Sequence, residues 1–221
     1  MRRIIEKNLL RIQEEIAPYQ PNIIAVTKYF DENAIIDAYY AGLRNFGESR
    51  VIEAIEKIKR LPEEVKKNSK FHLIGHLQSN KVKKAVGNFY LIHSVDSFKL
   101  AEMISQEAEK IGIVQNVLLQ LNNADEKQKF GFSKEELLEE FGRITELKGI
   151  KILGLMNMAP INASEHELEK LFSDVVQVRD LLEKKYNCEL KEISMGMSQD
   201  YKLAALKGST MLRLGRKLFE E

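Results

Sequence analysis

The sequence predicts an α/β protein folded as a (β/α)8 barrel of the TIM type, with residues 1–221 forming a single domain. Three observations carry that expectation. Short runs rich in Val, Ile and Leu alternate along the whole chain with segments whose apolar residues recur at a period near 3.6. The short runs are apolar at successive positions, as strands of a parallel sheet covered on both faces must be. Eight of them can be placed, and no Pro/Gly/Ser-rich linker or low-complexity tract divides them. At 221 residues the barrel is compact beside the ~250 typical of its class. A doubly wound open sheet is the alternative, but no G-x-G-x-x-G follows the first strand to favour it.

The elements follow in order. "MRRIIEKNLLRIQEEI" reads as an amphipathic first helix, because acids interrupt the apolar run that a signal peptide would keep continuous. The first strand is 23–27, "IIAVT". Residues 31–42, "DENAIIDAYYAG", form a helix opened by an Asp that can cap it and closed by a Gly. A weaker strand, 43–47, precedes those at 71–74 and 90–95. Residues 97–111 form a helix starting at Ser97, and 117–121 is the fifth strand. The helix at 133–147 carries Ser and Glu at capping-box spacing. Strand 152–156, the long amphipathic segment 163–186, and strands 190–194 and 210–214 complete the alternation.

Composition excludes several function classes. With 34 basic and 33 acidic residues the formal charge is +1, which argues against a nucleic-acid-wrapping surface. The clusters "KVKK" at 81–84 and "RKLF" at 216–219 read as solvated faces or helix ends. No apolar run approaches the ~20 residues that span a bilayer. The single cysteine, Cys188, has no internal disulfide partner, so a reducing cytoplasm is the expected compartment. No His/Cys/Asp/Glu spacing resembles a zinc or iron site, and His72, flanked by apolar residues, reads as a satisfied core histidine.

Chemistry in such folds collects at the C-terminal ends of strands. Polar residues stand there repeatedly: Lys28, Glu48, His76, Asp96, Asn122, Ser194 and Ser198. "SMGMS" at 194–198 offers two hydroxyls, a glycine and a helix N-terminus, and "GSTMLRLG" at 208–215 adds Arg213 and Gly215. These are the seventh and eighth strand ends, where barrels often bind phosphate. Arg213, in an apolar strand, either bridges carboxylates such as Glu48 or Glu192 or faces a ligand. Lys28 has the same two readings. It is either half of a structural ion pair or, desolvated, a nucleophilic amine suited to Schiff-base chemistry.

"AVTKYF", "FGESRVIEA", "FHLIGHLQSNK", "IHSVDS", "QLNNADEKQKFGF", "GLMNMAP" and "SMGMSQDYKLAALKGSTMLRLG" occur in that order between residues 25 and 215. With these the chain resembles the pyridoxal phosphate homeostasis proteins, relatives of the barrel domain of bacterial alanine racemase. The resemblance implies an alanine racemase N-terminal-domain-like barrel holding pyridoxal 5′-phosphate, with Lys28 as the Schiff-base lysine. It implies that Ser194, Ser198 and Gly215 surround the phosphate and that Arg213 faces the pyridine nitrogen. Ser49 stands where the family usually has Asn near the cofactor, and the ending "GRKLFEE" departs from the family's usual tail. The implied role is buffering or delivery of the cofactor, with pyridoxal-phosphate-dependent apo-enzymes as recipients and the protein a monomer.

Two enzyme readings stand beside it. A small amino-acid racemase needs a base on each face of the carbanion. The family's racemases take the second, a tyrosine, from an additional β domain that this sequence lacks, and helical patterning explains Tyr186 and Tyr201, so no efficient racemization is expected. A Schiff-base aldolase would use the lysine without a cofactor. Lys129 and Lys81 are the fallback candidates should Lys28 not be the anchor.

Overall fold

The eight apolar runs become eight parallel strands, each paired to the next and the last to the first, closing a barrel. They are β1 (Asn22–Val26), β2 (Asn45–Glu48), β3 (Lys70–Leu73), β4 (Leu91–Val95), β5 (Gln115–Leu121), β6 (Ile150–Asn157), β7 (Glu192–Ser194) and β8 (Met211–Leu214). The computed structural model describes residues 1–124 and 130–220. Helices alternate with the strands: α1 (Arg2–Ile16), α2 (Glu32–Tyr40), α3 (Val51–Arg60), α4 (Glu63–Lys67), α5 (Val82–Ala85) and α6 (Phe98–Lys110) come first. They are followed by α7 (Lys134–Thr145), α8 (Glu165–Tyr186), α9 (Tyr201–Leu206) and α10 (Arg216–Phe219).

The caps act where expected. Asp31 accepts from the N–H groups of Asn33 and Ala34 at the start of α2, and Ser97 accepts from Leu100 at the start of α6. Ser133 and Glu136 form a full capping box on α7, and Ser164 and Glu167 form another on α8. The stretch between β2 and β3, to which the sequence pattern gives no element, holds α3 and α4. The first ends at Arg60 because Pro62 biases Leu61 away from helix, and the second starts just after that proline.

Two apolar layers result. The larger lies between strands and helices and includes the fully buried Phe46, Phe141 and Phe172. A smaller one fills the barrel axis with Ile24, Leu91, Leu118, Met156 and Met211. Ile24 lies in register with Asn45 on one side and Arg213 on the other, and Gly47 with His72. Each of β2, β3, β4, β7 and β8 also turns a polar residue inward, namely Asn45, His72, His93, Ser194 and Arg213, and these matter for the site. Outside the barrel α1 packs on α2, α9 and α10. Asn8 of α1 donates to the carbonyls of Leu218 and Glu220, tying the first helix to the last. Among the described residues no helix is long and apolar enough to cross a membrane.

Candidate functional site at the barrel mouth

Lys28 lies in the turn directly after β1. The root of that turn is fixed by a buried cluster: the Thr27 hydroxyl donates to Glu48 Oε1 at 2.7 Å, and Lys57 Nζ from α3 donates to the same oxygen at 2.7 Å. Lys57 also donates to the Thr27 carbonyl at 2.9 Å. The ion pair that the sequence offered to Lys28 thus belongs to Lys57. Lys28 itself is exposed, its ammonium 4.9 Å from the centroid of the Tyr29 ring, and it forms no ion pair with a described residue. The desolvation argument for its nucleophilicity is likewise not met, since water reaches it.

Arg213 is 4% exposed. Its Nη1 donates to the Ser194 carbonyl at 2.7 Å and to Ser194 Oγ at 2.6 Å, and its Nη2 donates to the Asn157 carbonyl at 2.8 Å. The carboxylate-bridging reading is overturned: Glu48 is held by Lys57, while Glu192 accepts from the Thr210 hydroxyl. The hydrogen bonds of Arg213 go only to neutral acceptors and the charge of Asp200 offsets its desolvation only in part, so burial pushes its pKa down to about 10. The guanidinium stays protonated at neutral pH.

The serines and Gly215 divide into two groups. Ser194 is fully buried, and its hydroxyl is engaged by Arg213 and by His93 Nδ1 at 2.9 Å. Ser198 is half-buried in the turn after β7, where its Oγ accepts from Lys217 N at 3.4 Å. The helix expected to begin in "SMGMS" starts only at Tyr201, and Asp200 occupies its N-cap position. Gly196 has φ +93, and a Cβ there would lie 2.5 Å from Ala204 Cβ, so this glycine serves the tight turn itself. At Gly215, by contrast, a Cβ would meet only Val26 at 3.7 Å. Ser49, half-buried after β2, lies against Gly75, whose absent Cβ would come within 2.3 Å of the Ser49 carbonyl oxygen.

Other expectations are refined in the same region. Asp96 is not the cap of α6, a role taken by Ser97; it sits 3.1 Å from His76 Nδ1, and His76 stacks on Phe130. His72 is a satisfied core histidine, bonded at both ring nitrogens. Tyr186 and Tyr201 lie in α8 and α9, the latter bonded to Glu15 of α1. Lys81 sits in a 3-10 turn at Ser79–Lys81, and Lys129 lies outside the described residues. Sequence reasoning missed Thr27, Lys57, Asn157 and His93. A signal existed for His93, which sits within an apolar strand as His72 does.

The fold and its strand-end residues define a barrel of the alanine racemase N-terminal type, and a family model for that domain matches residues 2–220. A pyridoxal phosphate homeostasis protein from Synechocystis sp. is 38% identical over 208 residues, covering 93% of this chain and 94% of that protein. One from Aquifex aeolicus is 37% identical over 199 residues, covering 90% and 86%. The chain belongs to the pyridoxal phosphate homeostasis protein family. Among solved structures, PipY of Synechococcus elongatus with PLP bound matches with a TM-score of 0.87 at 36% identity, covering 98% of this chain and 100% of that one. An alanine racemase of Clostridium difficile shares the fold alone, with a TM-score of 0.77 at 15% identity and 55% of its chain covered.

Proposed function

We propose that this protein holds pyridoxal 5′-phosphate at the barrel mouth, with Lys28 as its Schiff-base lysine, and that it buffers or delivers the cofactor. One observation carries the reading. Two cations stand at the mouth on neighbouring strands β1 and β8, and neither is hydrogen-bonded or ion-paired to a carboxylate of a described residue, although Asp200 lies near enough to Arg213 to act on its charge. An exposed ammonium and a buried guanidinium that Asp200 offsets only in part suit an anionic ligand, and this one is anionic through its phosphate.

The residues present fit the ligand by their donor chemistry. Lys28 supplies the amine, and its exposure leaves it free to take up and release an aldehyde. Ser198, whose Oγ accepts from the Lys217 N–H, and the backbone at Gly215 supply small groups on the phosphate side. Ser194 acts through Arg213 in this reading, because its hydroxyl is already committed there. Arg213 offers only donors, so it bonds a ring nitrogen that carries no proton. Bound pyridoxal phosphate supplies an aldehyde and an electron-withdrawing ring, and an unprotonated ring nitrogen weakens the second property. A site so arranged favours holding over turnover.

The racemase alternative draws no support from Tyr186 or Tyr201, both of which lie in the helical layer. A monomer in the cytoplasm handing cofactor to pyridoxal-phosphate-dependent apo-enzymes completes the reading, and the lone Cys188 thiol agrees with a reducing compartment.

The decisive experiment is an absorption spectrum of the purified protein incubated with pyridoxal phosphate. A visible band that disappears in a folded Lys28→Ala variant supports the reading. A colourless wild type, with borohydride trapping a sugar phosphate on the lysine, supports the aldolase instead. A band retained in Lys28→Ala would overturn the assignment of Lys28.

A further inference from the structure

Five inward-facing polar groups on five strands form an unbroken hydrogen-bonded chain through the barrel axis. Arg213 Nη1 on β8 lies 2.6 Å from Ser194 Oγ on β7, which lies 2.9 Å from His93 Nδ1 on β4. His93 Nε2 is 2.9 Å from His72 Nδ1 on β3, and His72 Nε2 is 3.1 Å from Asn45 Oδ1 at the start of β2. Ser194, His93 and His72 are at most 1% exposed. Barrel interiors are usually filled by branched apolar side chains, and a buried polar network is tolerated only when every member is satisfied.

The direction of this chain is fixed at its ends. A guanidinium can only donate, and the Asn45 carbonyl oxygen can only accept. His72 must therefore donate from Nε2 and accept at Nδ1, and His93 must do the same. The Ser194 hydroxyl then gives its proton to His93 and turns a lone pair toward Arg213. Both rings have to be neutral for this. Burial holds both below the ordinary histidine range, helped by Lys70 for His72 and by His72 and Arg213 for His93.

We propose that His93 and His72 are positioning residues for Arg213: their one-way hydrogen-bond chain makes the Ser194 hydroxyl an acceptor and so locks the guanidinium in the orientation it presents to a ligand at the mouth. Without His93 the Ser194 proton is free to rotate toward Nη1, where it opposes the arginine. The inference rests on the cofactor reading above, but the chain itself is testable without the ligand.

Nitrogen-15 histidine spectra of ligand-free protein should show His72 and His93 both as Nε2–H tautomers, unchanged between about pH 5 and pH 8. Binding of pyridoxal phosphate is then compared in wild type, His93→Asn and His93→Leu. Asn places an acceptor near the former Nδ1 and should keep affinity within about threefold, while Leu should weaken it about tenfold. Leu should also shift the visible band of the loaded protein, a change that loss of packing alone would not produce. An Nδ1–H tautomer at His93 would overturn the proposal, whatever the variants do. So would a folded His93→Leu protein that binds as tightly as wild type. A wild type with the expected tautomers but no affinity for pyridoxal phosphate would overturn the cofactor reading and leave the chain standing.

Discussion

Of the two roles that the sequence offers to Lys28, the ion pair falls to Lys57, and the proposed Schiff-base role is the one left to Lys28. Lys57 comes from a helix surface pattern, yet its ammonium is buried against Glu48 and the Thr27 carbonyl. Lys28 comes from the end of an apolar strand, yet it is exposed. Their replacements should therefore behave in opposite ways. Lys57→Met leaves the Glu48 carboxylate buried with only the Thr27 hydroxyl to meet it, and removing one partner of such a pair costs about 3–5 kcal/mol. Lys28→Ala removes an exposed side chain and should change stability by less than about 0.5 kcal/mol. Urea midpoints of the two variants test the contrast, and equal losses would reject the division of roles. Arg213 makes the same point about charge. Two of the bonds that hold it go to backbone carbonyls, at Ser194 and Asn157, and backbone acceptors leave no mark on residue identity.

Single strands and helices were largely legible, because hydrophobic periodicity and capping residues are local signals. All eight strands fall where the apolar runs lie, and Asp31, Ser97 and Ser133 cap the helices they precede. The loops between elements were less legible, since a glycine in the sequence does not say which requirement it meets. Gly75 is needed where the chain after β3 crosses the backbone of Ser49: a Cβ would sit 2.3 Å from its oxygen. Gly75→Ala should cost about 1–3 kcal/mol through overpacking and should displace the Ser49 turn as well. Gly215 has φ −107 and room for a Cβ at 3.7 Å from Val26. Gly215→Ala should accordingly leave the melting temperature close to wild type. If the proposed phosphate site is right, it should also weaken pyridoxal phosphate binding, because the added methyl would then take space beside the phosphate. A large stability loss at Gly215 would show that the position serves the fold instead. Melting curves and a binding titration on the same two proteins separate these outcomes.

Across the whole molecule, the barrel was legible and its interior was not. Alternation specifies which positions face the axis, but pairing between strands far apart in sequence decides which polar groups meet there. His72 and His93 are 21 residues apart and His93 and Ser194 are 101, so no local pattern joins them. Their burial has a consequence for the stability of the entire fold. In the unfolded chain both histidines titrate near 6.5, whereas burial lowers His72 to about 3 and holds His93 well below its ordinary value. Below about pH 6.5 the unfolded state therefore binds protons that the folded state refuses, and stability rises with pH in that window. Full stability is present above the unfolded value and is lost as pH falls toward the folded one. With both histidines the slope approaches the limit of two protons, on the order of 3 kcal/mol per pH unit, as pH falls well below 6.5. Between about pH 5.5 and 6.5 carboxylates remain ionised, which isolates the histidine contribution. Nearer about pH 4.5, glutamates held below their ordinary range by hydrogen bonds, such as Glu15 and Glu167, add a slope of the same sign. Asp200, whose carboxyl burial pushes up, acts with the opposite sign toward the acidic end of that window. Urea denaturation across this range should show the steep limb in wild type. A double variant, His72→Gln with His93→Asn, should be less stable at pH 7 but nearly flat from pH 6.5 down to about 5.5. A wild-type limb no steeper than that of the double variant would mean that the two rings are protonated inside the barrel, and the neutral one-way chain through Ser194 to Arg213 would fail with it.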